Sequence, residues 1–156
     1  MIAIRPTKDE SFIYDCITHP ANWNAVTDDG SVYPELYFPD VSDHNIWLEV
    51  VDDGESLGVF CAAPHGSACR VAHSALLPSA YGVGAEASRL AIEWLFDHTD
   101  CKRVIAFIPE YNLLARNMAL DAGLTLFGRN EQSFLKNSVL YDELCFGISK
   151  TMKRSL

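Results

Sequence analysis

The sequence predicts a mixed α/β (α+β) fold, one sheet with helices packed on it. Three observations predict it. Residues 46–77 read as β-type runs joined by turn signals. From residue 87 onward, apolar stripes at helical spacing alternate with further β-runs. The chain is 156 residues long and 49% hydrophobic, the size and apolar content of one domain spanning 1–156.

The elements follow in order. Residues 2–5 suit a short first strand. Residues 9–18 carry Phe12, Ile13, Cys16 and Ile17 at helical spacing. Residues 19–45 are rich in Pro, Asn, Asp and Gly, with Trp23, Tyr33, Tyr37 and Phe38 among them. They read as loop with a short helix, long for a passive connection. Strands are expected at 46–51, 57–63 and 68–77, separated by Asp52-Asp53-Gly54-Glu55 and Pro64-His65-Gly66, an antiparallel meander. Ala87, Leu90, Ala91, Trp94 and Leu95 then form a helical stripe. Residues 103–108 are a β-run that Pro109 ends. Asn112 is a natural N-cap for a helix over 113–122, and Gly123 its stop. Strands over 124–129 and 144–149 complete the order.

Charge narrows the partners. The net charge is −9, which disfavours a nucleic-acid backbone. Residues 1–55 hold 12 acidic and 2 basic residues, whereas residues 56–156 hold 9 and 10. The first part attracts cations and the second tolerates an anion. No apolar run approaches a membrane span, and the N-terminus does not resemble a signal peptide. Five scattered cysteines, Cys16, Cys61, Cys69, Cys101 and Cys145, match neither a disulfide framework nor a metal-ligand spacing. Reduced thiols in a cytoplasm are expected.

The segment Leu76-Leu77-Pro78-Ser79-Ala80-Tyr81-Gly82-Val83-Gly84-Ala85 carries the chemistry. It leads from a strand into a helix. Two glycines let the backbone approach a ligand, and a helix start adds free N–H groups and a positive dipole end. Together they suit a pyrophosphate. No Gly-Lys-Ser/Thr follows, so this is not a Walker loop. The third glycine of the dinucleotide fingerprint is also missing.

Taken with Arg103-Val104 through Asn112 and with Ala115 and Gly123-Leu124, this segment resembles the GNAT N-acetyltransferase superfamily, nearest its ribosomal-protein alanine acetyltransferase-like branch. Pro78 to Gly84 is similar to that branch's Pro-x-x-Trp-Gly-x-Gly loop, with Tyr81 in the Trp position. The likeness covers residues 70–129. It implies a splayed sheet with the pantetheine of acetyl-coenzyme A in the split, pairing with the strand that ends at Leu76 and Leu77. It places the pyrophosphate on the amides of Gly82, Val83, Gly84 and Ala85, beside Tyr81, with Asn112 facing the coenzyme. It also carries over a homodimer through the last strands.

There are departures. The superfamily's Gln/Arg ahead of the glycines is Ser79 or Tyr81, depending on alignment. Glu86 stands near the phosphates, and no basic residue follows before Arg89. The Tyr that commonly serves as general acid is Ala119.

Acetyl transfer from a thioester to an amine needs a base for the ammonium proton and a donor for the developing oxyanion. His73 and Glu110 are the candidate bases, on either side of the split, with Glu49 a third. Ser133 and Tyr141 are candidate proton donors. The leading reading is an N-acetyltransferase acting on a primary amine of a cationic acceptor: a protein N-terminus, a lysine or a small amine. The alternative is a GNAT-fold chain that no longer catalyses and serves as a binding or assembly subunit, including one encoded by a virus. A thiol enzyme has no local Cys/His pattern behind it.

Overall fold

The computed structural model describes residues 1–151. Strands β1 (Ile2–Pro6), β2 (Ile46–Asp52), β3 (Glu55–His65), β4 (Cys69–Leu76), β5 (Arg103–Pro109), β6 (Thr125–Lys136) and β7 (Val139–Ser149) form one sheet in the order β1-β2-β3-β4-β5-β7-β6. Helices α1 (Glu10–Thr18), α2 (Pro20–Val26), α3 (Gly84–His98) and α4 (Leu113–Asp121) flank it. All neighbouring strands run antiparallel except β4 and β5.

Local chemistry accounts for the helix ends. Asp9 caps α1 by accepting the Phe12 N–H at 3.1 Å. Asn112 caps α4 by accepting the Ala115 N–H at 3.2 Å. Such a cap contributes about 1 kcal/mol. At the other end of α4, Gly123 has φ +100, Gly123 N–H donates to Leu120 O, and Leu124 N–H donates to Ala119 O. This is the Schellman arrangement that a glycine after a helix favours.

The sheet has a core on each face. Leu48, Val50, Phe60, Val104, Leu144 and Phe146 pack under α3 and α4, against Leu95 of α3. Trp47, Val59, Cys61 and Ala75 pack under α1 with Ile13 and Cys16. Strand alternation therefore puts His73, in phase with Ala75, on the α1 face.

The feature that positions the site is a split. β4 and β5 pair over only Cys69↔Arg103, Arg70↔Val104 and Val71↔Ile105. Beyond that point each strand stays with its antiparallel partner, β4 with β3 as far as Leu76 and β5 with β7 as far as Pro109. The two half-sheets diverge, as the resemblance implied.

Two regions bear on expectation, the first as a loop with a short helix and the second longer than read. Residues 19–45 hold α2 and a 3₁₀ turn, Pro34–Leu36. The last two strands are a long hairpin, well beyond 124–129 and 144–149. Its polar middle, Asn130-Glu131-Gln132-Ser133, lies on an exposed edge strand, and a register irregularity falls between Asn130 and Phe134. No alternation betrays such a strand, because neither face of that stretch is buried.

Candidate active site

The loop after β4 begins as a 3₁₀ turn, Pro78–Ala80, and passes through Gly82 into α3. Gly82 has φ +90, a left-handed conformation that a side chain disfavours, and open space lies where its Cβ would stand. Gly84 is required for another reason. A Cβ there would meet Met118 Sδ at 2.7 Å, so this glycine lets α3 lie close against α4. Gly84 thus has a packing role against α4 beside the ligand role expected of both glycines.

The amides are also sorted by the structure. Val83 N–H donates to Ala80 O at 3.1 Å and Ala87 N–H to Val83 O. Those of Gly82, Gly84, Ala85 and Glu86 have no partner among the described residues. Three of the four amides named from sequence are free for an anion, and Val83's is used inside the turn. Arg89 is turned away, its guanidinium donating to Asp121 O at 2.9 Å. No side-chain cation is thereby brought to the loop by the first basic residue of α3. Tyr81 is 89% exposed beside it.

The strand edge beside the split is open. Leu77 N–H donates to Leu57 O. Antiparallel alternation then turns the backbone groups of Ser74 and Leu76 away from β3 and toward the split. Leu76 O there accepts from Asn22 Nδ2 at 3.0 Å, and the same nitrogen donates to Cys16 O at 2.9 Å.

A cavity of about 470 Å³ runs through the split. His73, Ser74 and Ala75 form one side, Phe107, Ile108 and Pro109 the other. On the α3 and α4 side it is lined by Ser88, Ala91, Asn112, Ala115, Met118 and Ala119. Asn112 therefore both caps α4 and faces the cavity. Ala119 leaves room where a tyrosine would project. On the other face the lining is Ile17, Asn22, Val26, Tyr37, Phe38, Asp40 and Trp47.

The candidate bases fare differently. His73 is an exposed side chain in the cavity wall, and the protein packed around it pushes its pKa below the ordinary 6.5, with Glu143 partly opposing. Glu143 lies opposite Pro109, in phase with Cys145 and so on the face His73 occupies. Sequence reasoning missed it because it precedes the stretch recognised as a strand. Glu110 is committed elsewhere. Its carboxylate accepts from Arg129 at 3.1 Å and from the Asp142 N–H at 3.2 Å. Glu49 is buried and held by Arg5 at 2.7 Å and by the Ser56 hydroxyl. Ser133 donates to Asn130 O in the exposed β6. Tyr141 packs edge-on against Tyr111, their centroids 5.0 Å apart. The thiols are all raised, Cys16 to about 12 and Cys61 to about 11, chiefly by burial. None is a ready thiolate nucleophile.

The segment after α1 bridges the two half-sheets. Asn22 ties it to β4. On the far side Asp29 accepts the N–H groups of Ser138 and Asn137, which lower its pKa. Lys136 Nζ donates to Asn24 O and Thr27 O, and Tyr111 Oη to Ala25 O. The acidic excess mostly serves such ties. Asp43 pairs with Lys8, Glu49 with Arg5, and Asp52 and Asp53 with the N-terminal amine. Asp40 alone among these carboxylates lines the cavity, kept ionised by the Ser42 hydroxyl and N–H.

No protein-family model matches the sequence, and no curated protein matches it either. Solved structures do match in shape. Spermidine N-acetyltransferase from Vibrio cholerae in complex with CoA and spermine is 13% identical, with a TM-score of 0.82 over 98% of each chain. Mycobacterium smegmatis RimJ in complex with CoA-disulfide is 13% identical, with a TM-score of 0.76 over 96% of this chain and 82% of that one. Aminoglycoside acetyltransferase AAC(6')-Ib in complex with coenzyme A and kanamycin is 15% identical, with a TM-score of 0.74 over 99% of this chain and 98% of that one. The chain has the fold of the GNAT acetyltransferases. Among the described residues no helix is long and apolar enough to cross a membrane.

Proposed function

We propose that this protein is an acetyl-coenzyme A-dependent N-acetyltransferase acting on the primary amine of a cationic acceptor. The observation that carries this is the alignment of three features along one path. A loop with free amides at the start of α3, an open β4 edge and a cavity through the split stand in succession. An acyl thioester on a long amide-bearing arm fits that path. Its phosphates meet amides and a helix dipole, its arm meets the backbone of Ser74 and Leu76, and its acyl end reaches His73. The fold neighbours bound to coenzyme A support the same reading.

His73 is the proton acceptor in this reading. A depressed pKa keeps its ring neutral at neutral pH, so that it can take the proton from the substrate ammonium. The amine nitrogen then bonds to the thioester carbon, the carbon–sulfur bond breaks, and the second proton of that nitrogen passes through water to the departing thiolate, while His73 returns its proton to solvent. The Ser74 N–H, the nearer of the two to His73, is the donor for the oxygen that gathers charge, while the Leu76 N–H meets the arm. Glu110, bound by Arg129, holds the end of β5 in register rather than moving the proton. The chain works as one domain in the cytoplasm, with the β6–β7 hairpin as its dimer contact. Light scattering tests that last point.

Titration with acetyl-coenzyme A by calorimetry tests the function. Micromolar binding, followed by free-thiol release when an amine is added, is the expected result. Undetectable binding overturns it.

A further inference from the structure

Resting on the acetyltransferase reading, we infer that the acceptor is an amine carrying one positive charge on an apolar, aryl or alkyl body, rather than a polycation. Charge counting along the sequence points toward a cationic acceptor of any kind, but the structure redistributes those charges. Residues 19–55 hold nine acidic side chains, and of these Asp40 alone lines the cavity. Six of the others are engaged in pairs or turns away from it, and Glu35 and Glu55 are exposed outside the lining. Asp28 accepts from Gly30 N–H and Ser31, Asp29 caps the hairpin, and Asp43, Glu49, Asp52 and Asp53 hold cations of this same chain.

Beside Asp40, what faces the acceptor carries no further charge and is mostly apolar: Ile17, Val26, Tyr37, Phe38, Trp47 and Phe107, with the neutral amides of Asn22 and Asn45. One ammonium is matched by Asp40 at the mouth, whose carboxylate lies 3.3 Å from His44 yet is 56% exposed and kept ionised, and that ammonium loses its proton to the base. A second ammonium a few carbons away would lie against hydrocarbon without a counter-charge, which is strongly unfavourable. The ring of Tyr37 is not free to hold it. Tyr37 already stacks on Tyr14 at 6.4 Å and meets Trp23 edge-on at 5.7 Å. An apolar body gains where the second charge loses, because it removes this lining from water.

The test compares 2-phenylethylamine with spermidine and a lysine peptide on the same protein. Free-thiol release is measured with acetyl-coenzyme A, and amine binding separately by ligand-observed NMR without it. The expected result is a kcat/KM for 2-phenylethylamine at least about a hundredfold above that for spermidine. Phe38→Asp, which adds a carboxylate at an exposed rim position, should shift the ratio toward spermidine by fivefold or more. Preferred turnover of spermidine or the lysine peptide overturns the inference while leaving the acetyltransferase reading intact. If acetyl-coenzyme A does not bind, that reading fails, and the NMR arm still decides. Selective binding of 2-phenylethylamine upholds the inference, whereas no binding, or tighter binding of spermidine, overturns it.

Discussion

The wall proposed to take the coenzyme and the wall proposed to take the acceptor, the coenzyme wall and the acceptor wall, are built on opposite principles. The coenzyme wall, from Leu76 to Glu86, is one continuous stretch shaped by its own backbone: a 3₁₀ turn, a left-handed Gly82 and a helix start. The acceptor wall is assembled from pieces remote in sequence. Asn22 reaches Leu76, Asp29 reaches Asn137 and Ser138, and Tyr111 reaches Ala25. A local wall tolerates little change in its own residues. A wall made of long-range contacts spreads the cost of a change over many partners, so its composition can vary while the fold stays.

That difference sets a ranked set of outcomes. The largest effect belongs to the coenzyme wall. Gly84→Val drives a branched side chain into Met118, an overpacking cost of about 1–3 kcal/mol. It displaces the helix start that offers the amides. Acetyl-coenzyme A affinity measured by calorimetry should fall more than about a hundredfold, which is about 2.7 kcal/mol. Met118→Ala in the same chain as Gly84→Val should restore part of the binding, since the obstruction is then removed. Unchanged binding by Gly84→Val would take this loop out of the site.

Next comes the base. His73→Ala should lower kcat by roughly tenfold to a hundredfold. Because burial depresses the His73 pKa, the wild-type rate should hold as pH falls to 6.5 and decline only below it, as the ring gains its proton. The variant should lose that acidic limb. Glu143 opposes the depression, so Glu143→Gln should move the limb to still lower pH. A limb that stays in place in both variants assigns the proton to another group.

A smaller effect is expected at Glu110. A half-exposed ion pair contributes a fraction of a kcal/mol. Glu110→Gln should therefore change kcat by no more than about threefold, with the acidic limb kept. Loss of that limb would make Glu110 the base and undo the assignment to His73.

The smallest effect belongs to the acceptor wall. Asp40→Asn should raise the acceptor KM about twofold to threefold, the size of a solvent-exposed charge contact. The rise of KM with ionic strength, screened over about 10 Å at 0.1 M salt, should flatten in that variant. A KM that is indifferent to salt in the wild type would remove charge from acceptor recognition altogether.

The fold was largely legible because its signals are local. Turn dipeptides marked the meander, Asn112 and Gly123 marked both ends of α4, and the Pro78–Gly84 spacing matched a known loop. The middle of the β6–β7 hairpin was not, since the exposed Asn130–Ser133 stretch carries no periodic pattern. At the site, His73 was legible as a histidine in a strand near the split. Glu143 was not, because only the pairing of β7 with β5 brings it to the same face.

By itself the sequence determined the order of elements, the strand-to-helix loop and the glycines within it, because turns, caps and helix starts depend on residues a few positions apart. Only the tertiary structure decided which charges face the cavity. A carboxylate's role depends on the cation or N–H group that folding brings to it, and those partners lie dozens of residues away. Glu49 answers to Arg5, Asp29 to the turn at Asn137, and Asp40 is left at the mouth of the cavity.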